Sequence, residues 1–206
     1  MTKSSAIKDN STCNTNGLER LQELSNPPLN LYQRGVSLES HDLTNSVAIV
    51  GSRNVSQEGI DAARKFAKNA AEAGKVVISG LAKGIDTAVF EGAMEVNGKC
   101  IIVLPSSVDE ITPRANEKLA LQILENGGTI ISEQPIGSPV MKYMFVQRNR
   151  LIAALSDTVY LGEAKDKGGA WYTVRSAWKL NRPTYRLNND GSTSPLVNPQ
   201  KRLFDD

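Results

Sequence analysis

Six short apolar runs punctuate the chain, at Val47–Val50, Val76–Ile78, Ile101–Leu104, Thr129–Ile131, Thr158–Leu161 and, more weakly, Thr184–Leu187. None alternates with polar residues, which is the pattern of strands buried on both faces of a parallel sheet. The stretches between them carry helical spacing instead. Ala62, Ala63, Phe66, Ala67, Ala70 and Ala71 form one apolar stripe, Leu119, Ile123 and Leu124 begin another, and Leu151, Ile152 and Leu155 close a third. Each run starts 25 to 30 residues after the last, room for one strand, one helix and two short loops. The pattern predicts a doubly wound, mostly parallel, Rossmann-like α/β domain over residues 46–187.

The flanks read differently. Residues 1–16 are rich in Ser, Thr, Asn and Lys and are expected to be a disordered tail. Residues 17–45 form an extension predicted to pack on the sheet edge. Leu18, Leu21 and Leu24 allow a short helix that stops before Pro27-Pro28, and an extended piece then runs from Leu29 to near Gly35. Residues 188–206 are polar and are expected to be a loose tail.

Composition narrows the function classes. In 206 residues, 24 Lys and Arg nearly cancel 22 Asp and Glu, so global charge does not announce a nucleic-acid binder. No apolar run approaches a membrane span and no secretory h-region opens the chain, so a cytoplasmic location off the membrane is expected. Cys13, Cys100 and the single His41 leave too few ligands for a four-ligand zinc site and few options for histidine catalysis. No metal and no cofactor are expected.

In an open parallel sheet, ligands bind beyond the carboxyl ends of the strands, where helix N-termini point free N–H groups outward. After the first strand comes Gly51-Ser52-Arg53: a close-approach glycine, a hydroxyl and a bidentate fork. After the second comes Ser79-Gly80-Leu81-Ala82-Lys83-Gly84-Ile85-Asp86, a second anion cradle whose Asp86 caps the helix or holds an arginine. Neither the dinucleotide fingerprint nor a Walker A sequence occurs. Alone, each loop is equally a tight turn with a solvated cation; at adjacent strand ends they point to a phosphate site. Phe145 and Arg148 share a helical side, suiting base stacking with a phosphate grip, or else they are a core phenylalanine beside solvated arginines. Arg148 and Arg150 diverge by about 200° around the helix, so one can face a ligand while the other faces a neighbouring element or a carboxylate. Gly168-Gly169 with Lys165 and Lys167 makes a further anion-binding turn, and Glu163 reads as an acid/base residue or, as is commoner for a lone carboxylate at a strand end, a hydrogen-bond organiser. From Lys142 to Arg186 nine cations face three anions, the balance of a phosphate-backbone footprint.

Together these stretches resemble the DNA-processing protein family DprA, also called Smf. The residues that carry the resemblance are Pro27-Pro28 with Leu31-Tyr32-x-x-Gly35, Val47-Ala-Ile-Val-Gly-Ser-Arg53, Ser79-Gly-Leu-Ala-x-Gly-Ile-Asp86, Val103-Leu with Asp109, Pro113 and Asn116, Ser132-Glu133, and Phe145-x-x-Arg-Asn-Arg150 running into Leu-Ile-Ala-Ala-Leu-Ser156. They occur in family order from residue 26 to about 187. The resemblance implies an extended Rossmann fold that binds single-stranded DNA in a basic pocket, commonly as a homodimer, protects incoming strands in natural transformation and helps load the RecA recombinase. It assigns the DNA or phosphate contacts to Gly51, Ser52, Arg53, Ser79, Gly80, Lys83, Gly84, Phe145, Arg148, Arg150 and Lys167, with Asp86, Asn149 and Glu163 as supports and no catalytic residue. Departures are Phe90 where the family usually has histidine, Pro105 and Ser107 in place of glycines, and a variant loop at Lys167-Gly-Gly-Ala-Trp-Tyr-Thr-Val. Little length remains at either end for the accessory domains of longer members, so a minimal member is expected.

Two other classes compete. A nucleotide-ligand or second-messenger sensor on the same fold would bind free nucleotide without strand preference. A nucleotide phosphoribohydrolase would need a catalytic carboxylate, Glu163 or Glu133, and the Pro-Gly-Gly-x-Gly-Thr motif of those enzymes is missing. A structural or partner-binding unit would have lost the pocket cations, which are present.

Overall fold

The structure is a computed structural model; it describes residues 12–13, as backbone, and 19–199. In chain order the elements are β1 (Thr12–Cys13), α1 (Glu19–Gln22), β2 (Leu31–Gly35), β3 (Ser46–Val50), α2 (Gln57–Glu72), β4 (Val76–Ser79), α3 (Ile85–Met94), β5 (Cys100–Val103), α4 (Glu117–Glu125), β6 (Thr129–Ser132), α5 (Lys142–Leu155), β7 (Thr158–Leu161), α6 (Ala170–Lys179), β8 (Thr184–Leu187) and β9 (Thr193–Pro195). The strands form one sheet in the order β1-β2-β6-β5-β4-β3-β7-β8-β9. The six apolar runs are its parallel centre, β6 through β8. Among the described residues no helix is long and apolar enough to cross a membrane.

Strand side chains alternate between two cores because the pleat has period two. Ala48, Val50, Ile78, Val103 and Leu161 join Leu151, Ile152, Leu155, Val174 and Ala177 on one face, where α5 and α6 lie. Val47, Ile49, Val77 and Ile102 join Ala63, Ala67, Val89, Phe90 and Ile123 on the other, the face of α2, α3 and α4. All five residues of β3 are buried, which accounts for a run without polar alternation; each fully buried aliphatic side chain contributes roughly 1.5–3 kcal/mol. The alanine stripe of α2 lets that helix lie close on the sheet. Its start is set by Ser56, whose Oγ accepts the Gly59 N–H at 3.1 Å.

Three strands outside the repeat are antiparallel: β2 on β6, β1 on β2 and β9 on β8. Thr12 and Cys13, inside the segment expected to be a disordered tail, pair with Tyr32 and Leu31; the rest of that segment lies outside the described residues. In the segment expected to be loose, β9 covers β8, and the Leu196 carbonyl accepts the Thr184 hydroxyl at 2.6 Å and the Trp178 indole N–H at 3.4 Å. The physical reason is the open ladder of β8, which a polar strand can satisfy as well as an apolar one.

Candidate nucleic-acid interface

The strand order reverses between β3 and β7. From β3 the chain moves outward one way through β4, β5 and β6, and α5 then returns it to β7 on the other side of β3. The crossovers diverge there, leaving a crevice beyond the carboxyl ends of β3 and β7, where α/β sheets hold ligands. Ser52 stitches its walls together. Its N–H donates to the Glu163 carbonyl at 2.9 Å, its carbonyl accepts the Ile85 N–H at 3.3 Å, and its Oγ accepts the Lys165 N–H at 3.1 Å. The loops after β3, β4 and β7 thus share one residue, whose hydroxyl hydrogen is still free to donate. Gly84, at φ +80, lies so close beneath this turn that a β-carbon would overlap the Ser52 carbonyl.

The crevice is a cleft of about 340 Å³. Gly51, Ser52, Arg53 and Asn54 wall one side, and Phe145, Val146, Arg148 and Asn149 of α5 wall another. Lys165, Gly169, Ala170 and Thr173 close it, with Asp86 and Ala82 at the base. At the mouth the exposed Arg53 guanidinium lies over the Phe145 ring, 5.2 Å from its centroid. That places an aromatic face and a cation side by side.

The second arginine is internal. Arg148 is only 6% exposed and donates through Nη1 to the Val103 carbonyl, while its Nε has no partner. Burial lowers its pKa to about 10, against the opposing charge of Asp86, with Arg53 adding to the fall; it is still a cation at neutral pH. Burial pushes the Asp86 carboxyl up. The Arg148 charge and the N–H groups of Ala82 and Gly80 pull it back, the latter donating at 3.3 and 3.2 Å. Arg148 therefore gives the floor of the cleft a fixed positive charge. Gly80 is required beneath it, since a β-carbon there would overlap the guanidinium.

Of the residues expected at the site, Gly51, Ser52, Arg53, Phe145 and Arg148 meet on the cleft, with Asp86 and Asn149 beside them. Ser79, Gly80, Lys83, Gly84, Arg150 and Lys167 do not line it. Ser79 is fully buried and donates to the Ile49 carbonyl at 2.7 Å. Lys83 is exposed outside the lining. Arg150 turns to Glu133 at 2.5 Å on the far side of α5, beside a separate polar pocket. Lys167 sits at φ +59 on the exposed turn, leaving Lys165 on the cleft. Asn149 donates to the Gly169 carbonyl at 3.1 Å, tying α5 to the start of α6. Glu163 accepts from the Ser56 N–H, from the Ser56 hydroxyl and from Asn189, and these bonds hold its pKa low. It organises the start of α2. The cationic segment from Lys142 to Arg186 is also partly spent inside, with Arg182 paired to Glu23 at 2.8 Å.

Asn54 and Thr173 were given no role from the sequence, and Lys165 was named only beside the anion-binding turn, with Lys167 taken as the contact. The backbone turn that selects Lys165 over Lys167 leaves no trace in residue type. Thr173, whose buried hydroxyl has no partner, looks in sequence like any helical threonine.

A doubly wound α/β domain with a cation-rimmed cleft at its switch point belongs to the broad class of Rossmann-like folds. Within that class, the family model for DNA recombination-mediator protein A matches residues 14–201, and the chain belongs to that family. It is 39% identical over 153 residues to Protein Smf of Escherichia coli K12, covering 72% of this chain and 41% of that one. It is 34% identical over 169 residues to DNA processing protein DprA of Streptococcus pneumoniae, covering 81% and 58%. The solved structure of the latter superposes with a TM-score of 0.71, at 34% identity, over 81% of this chain and 58% of that one. That of DNA processing protein A from Helicobacter pylori, described for its single-stranded DNA binding mode, superposes at 0.76, with 33% identity over 85% and 79%. The chain spans about half the length of the curated relatives it matches.

Proposed function

We propose that this chain binds single-stranded DNA at the switch-point cleft, as a binding protein and not an enzyme. The observation that carries the reading is Arg53 laid on Phe145 at the mouth of a cleft whose floor holds a buried cation. A base can stack on such a surface while the phosphates on either side meet Arg53 and the field of Arg148. A rigid duplex keeps its bases stacked inside and cannot offer that face. The two glutamates considered for a hydrolase are committed elsewhere, Glu163 to Ser56 and Glu133 to Arg150, and neither lines the cleft; Asp86, which does, is taken up by the Gly80 and Ala82 N–H groups beside Arg148. The H. pylori relative, described for its single-stranded DNA binding mode, supports the same partner. We extend the proposal to a cytoplasmic mediator that protects strands and assists a RecA-type recombinase; of these, the family's name supports the mediator role. Exposed Met141 and Tyr143, at the start of α5, support a homodimer.

The test is fluorescence anisotropy of labelled oligo-dT across a salt series, with duplex and free nucleotides as competitors. Binding should weaken steeply with salt and resist duplex competition. Arg53→Ala should weaken it by about tenfold or more, and Arg53→Lys should restore only part, since a lysine keeps the charge without the planar stack. No binding of oligo-dT by folded protein, or equal competition by free nucleotide, would overturn the assignment.

A further inference from the structure

We propose that the exposed face of α6 is a second stretch of the same interface, a track that carries a single strand onward from the cleft with Tyr172 as its stacking platform. The proposal rests on the reading of the cleft as a single-strand site.

From Lys167 to Asn189 the sequence contains no carboxylate, yet it holds five cations and four Trp or Tyr residues. A surface helix ordinarily mixes both signs on its outer face. On α6, Thr173, Val174 and Ala177 are buried. Tyr172, Arg175 and Lys179 fall within a stripe of about 60° on the opposite side and are all exposed. Tyr172 is 43% exposed, with the Arg175 guanidinium over its ring at 5.7 Å. Beside it, Arg186 lies over Trp171 at 5.6 Å. Among the described residues neither arginine is paired with a carboxylate, unlike Arg150 and Arg182. A single exposed tyrosine calls for no explanation. An arginine-backed one on an acid-free face is the arrangement that binds single strands, since every base has a π-face and every nucleotide a charge.

The face is continuous with the cleft. Gly169, Ala170 and Thr173 line the cleft, and Tyr172 stands about 100° further around the helix from Thr173. Lys165 and Lys167 flank the crossing, one on the cleft and one on the exposed turn. A strand stacked at Phe145 that leaves across the start of α6 meets Tyr172 first, then Arg175 and Lys179. The ten residues of α6 extend about 15 Å, room for a few more nucleotides.

The test compares oligo-dT of about 6 and about 20 nucleotides, lengths that bracket one and several stacking contacts, by anisotropy with the whole chain. Tyr172→Ala with Arg175→Ala should weaken the long oligonucleotide about five- to tenfold and leave the short one unchanged, while Arg53→Ala weakens both. Arg175→Ala alone should lower the slope of log affinity against log salt by roughly one, for the long strand only. Tyr172→Phe should recover the stacking. Both side chains are exposed, and matching thermal melts would show that the variants fold. Equal affinity of the double variant and wild type for both lengths would overturn the track. So would a loss accompanied by a change in sedimentation, which would make this face a protein interface. If instead Arg53→Ala leaves the short strand unaffected, the cleft assignment fails, and the length effect of Tyr172 and Arg175 still decides the track.

Discussion

Arg53 and Arg148 share one cleft and behave as different chemical objects. Arg53 is solvated and stacked, so its removal should cost affinity and little stability. Arg148 is enclosed between Gly80, the Val103 carbonyl and the charge of Asp86, so disturbing it should cost both. Gly80→Ala forces a methyl group into the guanidinium. It should lower unfolding free energy by about 1–3 kcal/mol, the range for overpacking a filled interior, as read by urea denaturation. A wild-type midpoint would mean that the arginine has somewhere else to go. His41 offers a cleaner readout because it is the chain's one histidine. Thr129 gives its hydroxyl hydrogen to the Val36 carbonyl at 2.7 Å and so accepts from His41 Nε2 at 2.8 Å, while Nδ1 is buried without a partner. Burial, helped by Lys99, depresses the pKa. The native state therefore keeps the ring neutral where the unfolded chain would protonate it. Stability should be fully present above about pH 6.5, the unfolded value, and decline as pH falls below it. The difference in unfolding free energy between wild type and His41→Gln should drift over that window; a flat difference would mean that the ring titrates freely.

At the scale of elements, α5 is a wall with two faces. Phe145, Arg148, Asn149 and Ile152 line the cleft, and Tyr143, Gln147 and Arg150 line a polar pocket on the far side. The 200° divergence of Arg148 and Arg150 follows from helix geometry and was legible in the sequence. Which arginine faces the cleft was not, because that depends on the rotation of α5 against the sheet. The β7–α6 loop works through its hydrogen bonds: Glu163 holds Ser56 at the start of α2 and thereby fixes the loop that carries Arg53. Glu163→Gln should cost about 1 kcal/mol, the scale of a weakened cap, and leave oligo-dT affinity within about twofold of wild type. Complete loss of binding with an unchanged melting temperature would instead place this carboxylate on the ligand.

For the molecule as a whole, two cores on one sheet make its stability largely independent of its site. Phe90 is fully buried among Val89, Ala93 and the apolar face of β4 and β5, away from the cleft lining. Phe90→Ala should cost about 3–5 kcal/mol in denaturant titration while the fraction that stays folded binds oligo-dT as before. Weakened binding by that folded fraction would show that the two cores are coupled to the cleft.

The six central strands, their helices and the glycine-flanked loops at the strand ends were readable from the chain because their signals are local. A strand buried on both faces, as β3 is, is apolar at most of its positions, and a helix packed on a sheet is apolar at every third or fourth. The motifs at Gly51-Ser52-Arg53 and Phe145-x-x-Arg148 carried the family with them. Tertiary structure decided the rest: the antiparallel margins, the enclosure of Arg148, the diversion of Arg150 to Glu133 and the choice of Lys165 over Lys167. Those outcomes depend on which groups from distant segments arrive together. Whether an arginine is buried, paired or stacked on a ring is set by those neighbours and not by its own residue type.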